Sequence, residues 1–156
     1  MSALPIYPSG RMLIYQTDPE LLVRPQIKPY GCYFMSIIEA VTAYTGLPFT
    51  HSYVIHLYDQ EMGDGDLLNE SFVKSPQGLS DAICPGRFTF LGFKDRSYIC
   101  HDDEFEIGCW HKTGNNYNHF THNNGLGVVL YDPWSADGSD SVSQGVLLSK
   151  RVFKLN

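Results

Sequence analysis

The sequence predicts an α+β domain in which helices come first and antiparallel strands follow. Three observations predict it. Residues 32–44 place apolar side chains at helical spacing, the chain beyond Cys84 breaks into short β-type runs, and Asn123-Asn124-Gly125 supplies a tight turn between two of those runs. With 156 residues, 43% hydrophobic and 13% aromatic, the chain is long enough to bury a sizeable core as one domain over 1–156.

Prolines at 5, 19, 25 and 29 predict a largely extended segment over residues 1–31, with a short strand near Met12–Tyr15. A helix is predicted from Cys32 to Tyr44. Its stripe is Phe34, Ile37, Ile38, Val41 and Tyr44, with Cys32 opposite, and Gly46 and Pro48 end it. Thr50 is the expected N-cap of a second helix over His51–Met62, stopped by Gly63. Ser75 and Pro76 open a short third helix that runs to Ile83.

Strands are predicted over Arg87–Phe93, Ser97–Cys100, Phe105–Trp110, Tyr117–His122 and Gly127–Tyr131, with two more between Gly145 and Leu155. The stretches 63–66 and 135–143 read as surface loops, Asp102-Asp103-Glu104 as a solvated turn, and Trp110 and Trp134 as core.

Net charge is -6 with a pI near 5.4, and the basic residues are scattered, so neither nucleic acid nor an anionic membrane is an expected partner. No basic-then-apolar leader and no run near the ~20 apolar residues of a membrane span is present, so a soluble cytoplasmic protein is expected. The four cysteines include no CxxC pair, which predicts reduced thiols. No cofactor is expected.

Cys32 is distinguished by its surroundings. It opens a helix, where unpaired N–H groups and the macrodipole favour a thiolate, and Gly31 leaves room for a substrate to approach. Of the six histidines, His119 and His122 lie on the strand before the Asn-Gly turn, and the returning strand ends at Asp132, so a carboxylate is expected to orient an imidazole there. The two histidines are three apart and should face opposite ways, which leaves the choice between them open. Gln26, six residues before Cys32, can bring its amide beside the helix tip as an oxyanion donor. Taken singly, a core thiol, a surface histidine and a turn aspartate are ordinary features; it is their joint order that points to chemistry. A rival zinc set drawn from Cys100, His101, Cys109, His111, His119 and His122 has no finger spacing, and no metal is expected.

The segments Gln26-Ile27-Lys28-Pro29-Tyr30-Gly31-Cys32, His119-Phe120-Thr121 and Tyr131-Asp132-Pro133-Trp134 resemble the papain-like cysteine peptidase superfamily. The nearest likeness is to the small bacterial peptidases that trim double-glycine leaders in bacteriocin exporters, and to their phage-borne relatives. The resemblance covers residues 24–134. It implies a papain-like fold and a thiol-dependent hydrolase of peptide or isopeptide bonds, with Cys32 as nucleophile, His119 as base, Asp132 as orienting acid and Gln26 in the oxyanion hole. The expected partner is then a peptide, protein or peptidoglycan substrate. Bulky Tyr33 and Phe34 stand where the family usually has small residues, which implies an altered cleft. The same fold also hosts catalytically inactive binding modules and phage-type peptidoglycan amide hydrolases.

Overall fold

The computed structural model describes residues 3–134 and 142–156, apart from the side chain of Ser143. Four helices precede the main sheet: α1 (Ile27–Tyr30), α2 (Cys32–Thr45), α3 (His51–Asp64) and α4 (Pro76–Ile83). A two-stranded hairpin, β1 (Leu67–Leu68) and β2 (Phe72–Val73), lies between α3 and α4. The main sheet comprises β3 (Phe88–Asp95), β4 (Glu104–His111), β5 (His119–Asn123), β6 (Val129–Tyr131) and β7 (Val146–Leu155). Its order is β3-β7-β4-β5-β6, antiparallel throughout. The α+β reading therefore describes the chain.

The central helix is α2. Phe34, Met35, Ile37, Ile38, Ala40 and Val41 are fully buried, but so are Ser36, Glu39 and Thr42, so this helix is enclosed on all sides instead of showing one apolar stripe. Each large side chain so enclosed stabilises by roughly 1.5–3 kcal/mol. Its polar residues are satisfied locally or by the sheet: Thr42 Oγ1 donates to the Ile38 carbonyl at 2.7 Å, and Ser36 Oγ to that of Phe120 at 3.3 Å. Across the core, Phe105 of β4 stacks on Phe153 of β7 at 4.9 Å and meets Phe88 of β3 edge-on at 5.2 Å.

The predicted caps are present. Thr50 Oγ1 accepts from the Tyr53 N–H at 3.2 Å, a contribution of about 1 kcal/mol, and Ser75 Oγ accepts from that of Gly78 at 2.9 Å. The second helix runs past Gly63 to Asp64, because the left-handed cap falls on Gly65 (φ 79°).

Other expectations are corrected. Residues 12–15 form no strand, and the proline-rich lead contains a 3-10 turn over Pro19–Val23 as well as α1, since a proline suits the first turn of a helix. Residues 97–100 are not a strand. The C-terminal pair is the single strand β7, whose register with β4 shifts at a bulge between Cys109 and Trp110. Asp103 and Glu104 are buried, not solvated: Glu104 Oε1 accepts from Tyr98 OH and the His101 N–H, both at 2.8 Å. Of the expected loop over 135–143, residues 135–141 lie outside the described residues, and Val142–Gln144 form a 3-10 turn. No helix among the described residues is long and apolar enough to cross a membrane.

Candidate active site

Cys32 is the first residue of α2, where backbone N–H groups lack intrahelical partners. Gly31 sets the α1–α2 junction by close packing. A Cβ there would lie 2.5 Å from the Ile27 carbonyl oxygen, so any side chain would push the tip of α2 away.

His119 opens β5, and Asp132 follows the end of β6. His119 Nε2 lies 2.7 Å from Asp132 Oδ1, with both side chains buried, and the same oxygen accepts from the Trp134 N–H at 3.0 Å. The imidazole also interacts with the Cys32 thiol by hydrogen bond and by charge. The structure thus brings Cys32, His119 and Asp132 together. Two of the ring's surroundings oppose each other. Burial alone would lower the His119 pKa, but the hydrogen bonds to Asp132 and Cys32, with the charges of the same two groups, push it up to about 10. The carboxylate sits just past the strand end and takes the distal nitrogen Nε2, which leaves Nδ1 as the ring's second polar atom.

His122 belongs elsewhere. Fully buried, it places Nδ1 2.7 Å from Glu39 Oε1 and Nε2 3.0 Å from Tyr44 OH, while Glu39 Oε2 accepts from Tyr7 OH at 2.8 Å and faces Arg11 at 3.5 Å. That network ties the N-terminal arm to α2.

Gln26 does not stand at the helix tip. Its Oε1 accepts from the Glu70 N–H at 2.7 Å and its carbonyl from Ser71 Oγ at 3.0 Å, because the turn of α1 swings it toward the β1–β2 hairpin. The glutamine that lines the cleft with Cys32 and His119 is Gln16. It is buried, its backbone N–H donates to the Pro133 carbonyl at 2.7 Å, and its Nε2 donates one hydrogen to the Lys28 carbonyl at 2.7 Å. The second Nε2 hydrogen is not used by that bond. No sequence spacing marks Gln16, because a tertiary contact alone brings it there.

The cleft has a volume of about 850 Å³. One wall is the hairpin tip, where Glu70 (φ 62°) and Ser71 (φ 51°) hold left-handed conformations that cost non-glycine residues energy. Aromatic rings dominate the rest, including Tyr33, Phe93, Phe120 and Trp134. Trp134 is therefore a cleft residue and not core. Tyr33 stacks on Phe120 at 4.7 Å, and the Arg151 guanidinium lies 4.0 Å from the Phe93 ring centre.

Over residues 12–155 the sequence matches the family described as "Protein of unknown function, DUF261". The chain belongs to DUF261. No curated protein and no solved structure matches it. The matched stretch of this DUF261 chain contains Gln16, Cys32, His119 and Asp132.

All four thiols of the DUF261 chain are free. Burial, with Glu106 and Glu104 nearby, pushes the Cys100 thiol up to about 12, and burial also raises Cys109, so neither favours a thiolate. Potential metal ligands converge in three groups among the described residues: Asp18/Glu20/His51, His101/Asp103/Glu104 and Glu61/Asp64/Asp66. None contains a cysteine, and the zinc set weighed from the sequence is not assembled.

Proposed function

We propose that this DUF261 protein is a cysteine hydrolase of papain-like architecture that cleaves peptide or isopeptide bonds. One observation carries the reading: a single buried imidazole has Asp132 at 2.7 Å on one nitrogen and the Cys32 thiol as its other partner, at the wall of a cleft large enough for several residues of extended peptide. A helix tip bearing the thiol, packed on an antiparallel sheet bearing the base, supports the papain-like assignment.

In the proposed cycle His119 takes the Cys32 thiol proton as the sulfur attacks the substrate carbonyl carbon, and the carbonyl electrons move to oxygen. The oxyanion takes hydrogen bonds from the Cys32 N–H and the second Nε2 hydrogen of Gln16. As the C–N bond breaks, His119 gives its proton to the leaving amine. Water, deprotonated by His119, then attacks the thioester and releases the acid and the thiol. Asp132 holds the ring throughout.

The reading is tested by limiting iodoacetamide or the epoxide inhibitor E-64, with adducts mapped by mass spectrometry. Preferential modification of Cys32, lost in His119→Ala, is the expected result; equal modification of all four cysteines sinks the proposal. Peptide libraries and a turbidity assay on cell walls then separate protein from peptidoglycan substrates. A second reading, an inactive peptide-binding module, is favoured by the bulky Tyr33 ring, which stacks on Phe120 in the wall of the cleft that Cys32 also lines. For that module Cys32→Ala leaves the biological effect intact, whereas the hydrolase loses it.

A further inference from the structure

Away from the cleft, α3 ends in Glu61-Met62-Gly63-Asp64, and Gly65 reverses the chain into Asp66. Glu61 is fully buried, yet no donor group reaches either carboxylate oxygen, and the carboxylates of Asp66 and Asp64 are within hydrogen-bond reach of it. An ionised carboxylate in that setting is strongly disfavoured unless a cation or a proton compensates it. The charged groups beside it, Asp66 and Asp64, have the same sign as its own carboxylate.

One oxygen from each of Glu61, Asp64 and Asp66 lies within 4.8 Å of the others. Oxygens that converge this closely can share one hard cation, whether Ca²⁺ with ~2.3–2.6 Å bonds or Mg²⁺ with ~2.0–2.1 Å bonds. The C-terminal end of a helix adds negative potential to the same point. Gly78 of α4 makes room for the third ligand, since a Cβ there would meet the Asp66 carboxylate at 2.5 Å. Lys74, the nearest basic residue along the chain, lines the cleft.

The other two groups each include a histidine. His51 already pairs with Asp18 and Glu20 at 2.9 and 3.0 Å, and Glu104 already accepts two hydrogen bonds, although both oxygens of buried Asp103 beside it lack a donor.

We propose that Glu61, Asp64 and Asp66 bind a hard divalent cation, Ca²⁺ or Mg²⁺, with water completing the shell. The site sits at the base of the β1–β2 hairpin, where the Asp66 carbonyl also accepts from the N–H groups of Lys74 and Ser75 at 2.9 and 3.1 Å. A bound ion therefore fixes both ends of the hairpin whose tip walls the cleft. That last consequence rests on the proposed function; the binding itself does not.

The test uses the full chain, freed of metal with a chelator, titrated with calcium chloride by calorimetry and followed by thermal unfolding, with magnesium chloride as comparator. Saturable binding near one equivalent is expected, with a dissociation constant at or below ~10⁻³ M and a raised unfolding midpoint. Asp64→Asn changes an exposed residue and should weaken binding at least ~10-fold. Glu61→Gln removes the buried charge, so the variant stays folded without metal while losing the Ca²⁺-induced shift. No saturable uptake of either ion overturns the proposal, as does equal uptake by both variants. Failure of Cys32 alkylation leaves this site unaffected, and the reverse also holds.

Discussion

The backbone N–H of Gln16 donates to the carbonyl of Pro133 at 2.7 Å, which pins the N-terminal arm against the residue that follows Asp132. With Nε2 anchored on Lys28, the amide is held at the cleft instead of swinging into solvent. Gln16→Ala is therefore expected to lower kcat by ~10² to 10³ with Cys32 alkylation retained. Gln26→Ala should act mainly through KM, since its amide braces the hairpin wall. Steady-state kinetics on a cleaved peptide distinguish the two.

Asp132 can be tested without turnover. Its hydrogen bond is one of the interactions that hold His119 well above its ordinary value of 6.5, so Asp132→Ala should move the imidazole titration down. The readout is the NMR shift of the ring Cε1 proton. An unmoved titration would mean that Cys32 alone sets it.

Much of this was legible in local chemistry. Thr50, Ser75 and the glycine-ended helices are marked by caps that act within a few residues, and Asn123-Asn124-Gly125 correctly joined β5 to β6 as antiparallel neighbours. What failed was long-range. A spacing of six to Gln26 assumed that the lead into the helix is extended, whereas α1 turns it aside; Gln16 arrives through contacts with Lys28 and Pro133 that no pattern encodes. Strand alternation placed His119 and His122 on opposite faces, and only His119 meets Cys32, but nothing in the pattern showed that His122 would be buried with a carboxylate partner of its own. β1 and β2 have two residues each, too few for any period to show.

Glu39 is a structural hub. Replacing it with alanine strands His122 and Arg11 in the interior, and should cost ~3–5 kcal/mol in urea denaturation. His122→Ala, in protein that remains folded, should leave Cys32 alkylation near the parental rate.

The hairpin tip stores strain. Glu70 at φ 62° and ψ 31° occupies a left-handed well that glycine enters freely, so Glu70→Gly relieves about 1–2 kcal/mol of that strain. The gain in equilibrium stability should be smaller, about 0.5–1 kcal/mol, because glycine also loosens the unfolded chain. A left-handed tip that is unstrained would give no gain.

Stability should also carry a pH signature. His119 holds its proton more tightly when folded, so its contribution is complete below 6.5 and fades as pH rises toward about 10. Glu61 has the same sign in a lower window: its contribution is present below 4.5 and is lost as pH climbs through about 7. Glu61→Gln should thus gain on the parent protein from acid to neutral pH, measured as the difference between their urea midpoints.

The placement of β7 has a consequence for biogenesis. In the order β3-β7-β4-β5-β6, the strand of this sheet that comes latest along the sequence is the sole sheet neighbour of β3. Until residues 146–155 leave the ribosome, β3 offers an open edge to other chains, and a premature stop before them leaves that edge uncovered for good.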